Sequence, residues 1–145
     1  MQVSNFFTTI SLLMLILVGC SQSNGRVKVY PVSGKVSVRG AAAEGARVVF
    51  YPVSEELKKP GMPIPYGTTD SQGNFKLRSY DADDGAPEGE YKISVIWFDL
   101  PPEKAQENPS SAKDRLSGKY SNPQNSNLTA KVEKGGGEIA PLELQ

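Results

Sequence analysis

Short runs of alternating apolar and polar residues, broken by Gly, Pro, Asn and Asp at intervals of roughly 8 to 15 residues, constrain this chain more than any other feature. Successive side chains of a strand point to opposite faces, so the alternation assigns faces directly. Val32, Gly34, Val36 and Val38 share one face, Ser33, Lys35, Ser37 and Arg39 the other, and Gly40 opens a turn. Residues 46–53 are apolar on both faces, with Val48 and Phe50 against Val49 and Tyr51, as expected of a strand covered on two sides. Residues 67–70 lead through Asp70-Ser71-Gln72-Gly73 into Asn74-Phe75-Lys76-Leu77, a hairpin whose glycine can supply a positive φ. In residues 89–98 Tyr91, Ile93, Val95 and Trp97 point inward, Lys92 and Ser94 outward. Leu128, Ala130 and Val132 form another face, and three glycines at 135–137 turn the chain into a last segment, 139–144. Beyond residue 20 no useful apolar period of 3.6 residues occurs. The expectation is an all-β sandwich with little helix.

The amino terminus is of another kind. Thirteen uncharged residues, 6–18, run into Leu17-Val18-Gly19-Cys20, and Cys20 is the only cysteine. A bilayer-spanning helix needs about 20 apolar residues, so this run suits the apolar part of a secretory signal instead. The tetrapeptide resembles the lipobox of bacterial lipoproteins. That resemblance implies cleavage between Gly19 and Cys20, a diacylglycerol on the Cys20 sulfur, and acylation of the new amino terminus with chains such as palmitate. Each buried methylene contributes about 0.8 kcal/mol, and one acyl chain alone holds only marginally, so two or three give stable attachment. Ser21 after the cysteine implies the outer membrane of a diderm envelope; the outer face of the inner membrane is the other location. The expected organisation is a signal peptide over 1–19, a lipidated cysteine and polar tether over 20–30, and one domain over 31–145.

Composition narrows the chemistry. Removing residues 1–19 from 145 leaves 126, enough for one domain with a real core. The 16 basic and 16 acidic residues cancel, which argues against nucleic acid or an anionic lipid surface as main partner. With no histidine and no second cysteine, the Ser-His and Cys-His dyads and the usual zinc ligands are missing. No cofactor, no catalytic residue and no structural metal are expected.

Four motifs follow one another in order: Pro31-Val32-Ser33-Gly34-Lys35-Val36, Gly45-Ala46-Arg47-Val48-Val49-Phe50, Thr69-Asp70-Ser71-Gln72-Gly73-Asn74-Phe75, and Gly85-Ala86-Pro87-Glu88-Gly89-Glu90-Tyr91-Lys92-Ile93. Together they resemble the carboxypeptidase regulatory-like, transthyretin-like (prealbumin-like) domain. Lys119-Tyr120-Ser121-Asn122-Pro123 and Leu128-Thr129-Ala130-Lys131-Val132 resemble the ending of small planctomycete lipoproteins of this type. The resemblance spans about residues 31–145. It implies a single seven-stranded Greek-key sandwich with a binding or accessory role, and it carries no catalytic residues. The same motifs have a physical reading: Gly45 and Gly89 permit turn geometry before inward-facing strands, Asp70 accepts hydrogen bonds from its own turn, Gly73 closes it, and Phe75 enters the core.

Candidate sites are few. Ser110-Ser111-Ala112-Lys113 matches the S-x-x-K pattern of penicillin-binding enzymes, but their S-D-N and K-T-G elements are missing, so a polar loop is expected. Asp81, Asp83 and Asp84 offer oxygens for a calcium ion without the EF-hand spacing; a solvated acidic loop is the plainer reading. Asn127-Leu128-Thr129 is an N-glycosylation sequon by pattern alone, and the glycines at 135–137 lack the lysine of a phosphate loop. The stretch 98–125 is far longer than a hairpin requires and carries four prolines, Pro101, Pro102, Pro109 and Pro123. Trp97, Phe98, Leu100 and Tyr120 flank it and form the candidate binding surface, since aromatic side chains are favoured in recognition. Alternatively, Trp97 fills the core and Phe98 caps its edge. The functional expectation is a lipid-anchored cell-envelope module without catalytic activity, recognising a protein or an envelope glycan. The alternatives are a structural spacer, or subunit of a surface assembly, and a carboxylate-dependent hydrolase.

Overall fold

Two sheets form because two sets of inward-facing apolar side chains leave water only by meeting each other. The computed structural model describes residues 25–145 apart from Pro109, so Gly19 and Cys20 lie outside the described residues. In chain order the strands are β1 (Val29–Tyr30), β2 (Val32–Val38), β3 (Ala41–Ala42), β4 (Arg47–Pro52), β5 (Tyr66–Thr68), β6 (Asn74–Lys76), β7 (Ala86–Pro87), β8 (Gly89–Ile96), β9 (Leu128–Val132), β10 (Gly137–Glu138) and β11 (Leu142–Leu144). A six-residue helix, α1 (Pro102–Glu107), lies between β8 and β9. Among the described residues the fold is all-β apart from that one turn and a half of helix.

Strand β2 is the axis of one sheet. Antiparallel to it lie β6, along its first half, and β3, along its second. Parallel to it on the other edge lie β10 and then β11. Gly137 stands beside Val32 but Leu142 beside Val36, so five residues of the outer strand span four of β2. The extra residue falls next to Pro141, which has no N–H for the ladder, and the strand is interrupted there as a bulge requires. The other sheet is antiparallel throughout, in the order β5-β4-β8-β9. At one corner the sheets join: Tyr66 and Arg78 exchange backbone hydrogen bonds of 3.0 and 2.8 Å, carrying β5 onto the continuation of β6.

The facing residues follow the alternation. Val32, Gly34 and Val36 of β2 are buried against Val48 and Phe50 of β4 and Tyr91, Ile93 and Val95 of β8, with Phe75, Leu77, Leu142 and Leu144 filling between. Phe50 meets the Phe75 ring edge-on at 6.4 Å and Tyr91 at 5.6 Å. Gly34 is the one inward position of β2 without a side chain, and Phe75 occupies that space: a Cβ there would stand 2.6 Å from the ring. Such close packing makes the position intolerant of any added atom.

Each motif contributes one structural device. Asp70 Oδ1 accepts the N–H groups of Gln72 and Asn74, at 2.8 and 2.9 Å, and Gly73 turns with φ of +80°. The Thr69 hydroxyl donates to the carbonyl of Ala43 and accepts the N–H of Ala46, clipping the 43–46 turn to β5. The Tyr91 hydroxyl donates to the Pro87 carbonyl at 2.8 Å, four residues back, which accounts for the Pro-x-Gly-x-Tyr spacing. Burial pushes the Tyr91 phenol well above its usual range, so it is a permanent donor there.

The two ends of the sandwich differ in what they carry. The chain enters beside Ala86 and Pro87, where β1 pairs β7, close to the start of β8. Seven residues after Gly89, β8 reaches Ile96 at the opposite end, about 24 Å away at the usual rise per residue. No helix among the described residues is long and apolar enough to cross a membrane.

Candidate functional site: the groove beside Trp97

The stretch after Phe98 is not a free loop. Asp99 N–H donates to the Lys113 carbonyl, Arg115 N–H to that of Trp97 and Val95 N–H to that of Tyr120, at 3.0, 2.7 and 2.9 Å. The chain therefore goes out past β8, turns through α1, and returns antiparallel along the same strand. Asp114 organises the return. Its Oδ1 accepts the N–H groups of Trp97 and Leu116, at 3.1 and 3.0 Å, and its Oδ2 that of Gly118 at 2.9 Å. Asp99 Oδ1 accepts the Lys113 N–H at 2.9 Å and closes the base of the outer turn.

This stitching builds a shallow groove of about 590 Å³ at the end of the sandwich away from β1. Phe98, Leu100 and Pro101 line it together with Ala41, Ala42, Glu44, Trp97 and Arg115. Trp97, Phe98 and Leu100 are half-buried, and Asp99 and Arg115 are exposed. The Arg115 guanidinium lies 3.7 Å from the Trp97 ring centroid, and the indole N–H donates to the Glu44 carbonyl at 2.7 Å. Trp97 is thus a strut between β8, the returning segment and the 43–46 turn, with its ring packed on the core as well.

Of the four residues expected to form a binding surface, Trp97, Phe98 and Leu100 come together here and Tyr120 does not. Tyr120 is only 8 % exposed; it belongs to the core, and its hydroxyl accepts the Gln145 N–H at 3.1 Å. Its place follows from the return along β8, which brings it over the end of the sandwich. Arg115 and Asp114 escape a sequence reading because both lie in a polar stretch, and Glu44 because it contributes only a carbonyl.

The acidic loop separates instead of converging. Both Asp84 oxygens accept backbone N–H groups, from Ser79 at 2.7 Å, Tyr80 at 3.0 Å and Asp81 at 2.9 Å. Partial burial opposes ionisation of Asp84, but these donors outweigh it and hold its carboxyl below the usual range. Asp81 pairs with Arg26 at 3.2 Å and Asp83 with Lys76 at 3.8 Å. Among the described residues no group of three acidic, histidine or cysteine side chains is placed to hold a metal ion. Ser110 Oγ bonds Asn108 Oδ1 and Ser111 Oγ the Asn108 carbonyl; both serines are exposed and serve a polar turn.

No protein-family model and no curated protein matches this chain. Among solved structures it is similar to a 9R-lipoxygenase from Cyanothece PCC8801, at a TM-score of 0.39 and 13% identity. The match covers 81% of this chain and 16% of that one, so the chain spans about a sixth of that protein. Likeness of that degree carries nothing about activity.

Proposed function

We propose that this chain is a non-catalytic binding module held at the bacterial cell envelope by a lipid on Cys20, its domain being of the carboxypeptidase regulatory-like, transthyretin-like type. Setting aside the two-residue β1, β3 and β7 and joining β10 to β11 leaves seven strands in two sheets, which supports the seven-stranded Greek-key sandwich. The observation that carries the binding role is the opposition of the two ends. The polar tether leads into the end at β1, and the Trp97 groove sits at the other end of β8. A domain anchored through residues 20–30 holds that groove away from its membrane, where a partner can reach it.

The partner that fits best is a protein. A sugar ring is gripped by stacking on an open aromatic face, and Trp97 has its ring taken up by Arg115 and the core and its N–H by Glu44. What remains accessible is a small apolar wall, Phe98, Leu100 and Pro101, rimmed by the charges of Asp99 and Arg115. An apolar centre with a polar rim is the general anatomy of protein recognition.

The test has two arms. Metabolic labelling with a radioactive fatty acid tags the wild-type chain and leaves Cys20→Ser unlabelled; equal labelling of both sinks the anchor. A photo-crosslinking residue at position 100 captures a discrete partner in intact cells, while one at Lys35, on the outward face of β2, does not. Phe98→Ser abolishes the capture. Identical products from both positions remove the groove from the proposal.

A further inference from the structure

A second surface, separate from the groove, lies on the outward face of the β5-β4-β8-β9 sheet. Tyr66 of β5 stands beside Val49 of β4 on one side and Arg78 on the other. Two guanidinium groups stack on its ring, Arg47 at 4.7 Å and Arg78 at 5.7 Å from the centroid. Both arginines are exposed. Neither makes a side-chain hydrogen bond or ion pair among the described residues, whose salt bridges all involve other cations. Residues 1–24 contain no aspartate or glutamate, so they cannot supply the missing anion. Lys92, two strands away on the same face, is bonded to the neutral Gln124.

The backbone holds this pair in place. Tyr66 and Arg78 share two backbone hydrogen bonds at the corner where the sheets join, and Gly67 lets β5 approach the Lys76 carbonyl more closely than any side chain would allow. A guanidinium stacked on a ring keeps its N–H edge free and has lost part of its rotamer freedom already, so each is a preset fork for a carboxylate. Both forks lie within reach of one extended segment, in which same-face side chains recur about every 7 Å. Val49, Tyr51 and Ile96, half-buried on the same face, offer apolar contact beside them.

We infer that this face docks an extended peptide segment of a protein partner, carrying acidic side chains beside apolar ones, with Arg47 and Arg78 as its carboxylate forks. The apolar neighbours decide against a uniform polyanion. Val49, Tyr51 and Ile96 offer a strand of unbroken negative charge nothing, and Asp70, in the same hollow as Tyr66 and Arg78, repels it, while Asp83 there is paired with Lys76.

The test uses the full chain in detergent micelles and a fluorescent peptide Val-Ser-Glu-Ser-Glu-Ser-Val, whose two glutamates and flanking valines share one face when extended, followed by anisotropy. The peptide binds the wild-type chain, its glutamine-for-glutamate counterpart binds at least tenfold more weakly, and R47Q/R78Q loses at least tenfold. R47K/R78K, which keeps the charge and loses the fork, falls between. Should R47Q/R78Q lose its near-ultraviolet circular dichroism, the two peptides on the wild-type chain decide alone. Failure of the glutamate peptide to bind, equal binding of the two peptides, or unchanged binding by a folded R47Q/R78Q overturns the inference. Tighter binding of heparin than of the peptide at this face assigns it to a polyanion and overturns it too. None of these outcomes bears on the Trp97 groove, whose test reads different residues.

Discussion

The two ends of the sandwich differ in which atoms pack most closely. At the end where the chain enters, main chain meets main chain. Gly85, with φ of +93°, lies so close to the Tyr30 carbonyl that a Cβ would stand 1.7 Å from the oxygen, and Gly136 approaches the Pro31 carbonyl almost as closely. Backbone donors also fill both oxygens of Asp84 there, a device this end shares with Asp114 at the other. At the groove end the closest packing is by side chains, Trp97 under Arg115 and the indole N–H on Glu44. Backbone packing of the first kind tolerates no substituent, because the carbonyl cannot move without its strand. Side-chain packing of the second kind can be altered piece by piece, so recognition chemistry can vary there without loss of the fold.

The contrast is open to attack at four points. The largest expected effect is that of Gly85→Ala, which combines an unfavourable φ with a collision against fixed backbone. A loss of about 4 kcal/mol is expected from such a change, read as a fall in the denaturation midpoint of the full chain in detergent; a loss below about 1 kcal/mol would mean that this end yields. Next comes Tyr91→Phe, which leaves the buried Pro87 carbonyl without its donor and costs about 1–3 kcal/mol by the same measurement. At the groove end Arg115→Ala removes only the stacked cation, worth about 0.5–1 kcal/mol at an exposed site. If it costs as much as Gly85→Ala, the distinction between the two ends fails.

The smallest effect is one of pH. The folded state holds the Asp84 carboxyl below its ordinary 3.8, so it binds protons less readily than the unfolded chain does. Its contribution is complete above that value and disappears as the pH falls through the folded-state value. Asp84→Asn therefore narrows its stability deficit against the wild type in acid, seen by comparing midpoints at neutral pH and near pH 3. A deficit that stays constant would mean that the carboxylate is not what the Ser79, Tyr80 and Asp81 N–H groups hold.

Much of the fold was legible because it depends on a period of two. The buried faces of β2 and β8 are those the alternation assigns, and the turn at Asp70 forms as its residues require; β4, apolar on both faces and expected to be covered on two sides, buries Val48 and Phe50 and leaves Val49 and Tyr51 half-buried. Ser94 shows where that reading stops. It points outward by period, yet it is 1 % exposed. The 120–126 segment returns beside it, with Val95 N–H bonded to Tyr120 and the Ser126 hydroxyl to the Ile93 carbonyl. The same return explains why Tyr120 is core and why residues 98–125 are not a free loop. The parallel pairing of β10 and β11 with β2 had no local signal either, since it joins residues more than a hundred positions apart.

The candidate groove divides in the same way. Trp97, Phe98 and Leu100 stand out in the sequence because aromatic and apolar residues beside prolines are unusual in a polar stretch. Arg115, Glu44 and the two forks at Arg47 and Arg78 do not, because a charge acquires meaning only from what lies next to it. By itself the sequence determined the all-β class, the faces of the main strands, the turn at Asp70–Gly73 and the absence of histidine chemistry, all of which rest on neighbours within a few residues. Only the tertiary structure decided which sheet edges meet, that the long stretch doubles back on β8, and which cations are left without an anion. Those outcomes depend on contacts between distant segments, and the free energy that selects them exists only once both segments are in place.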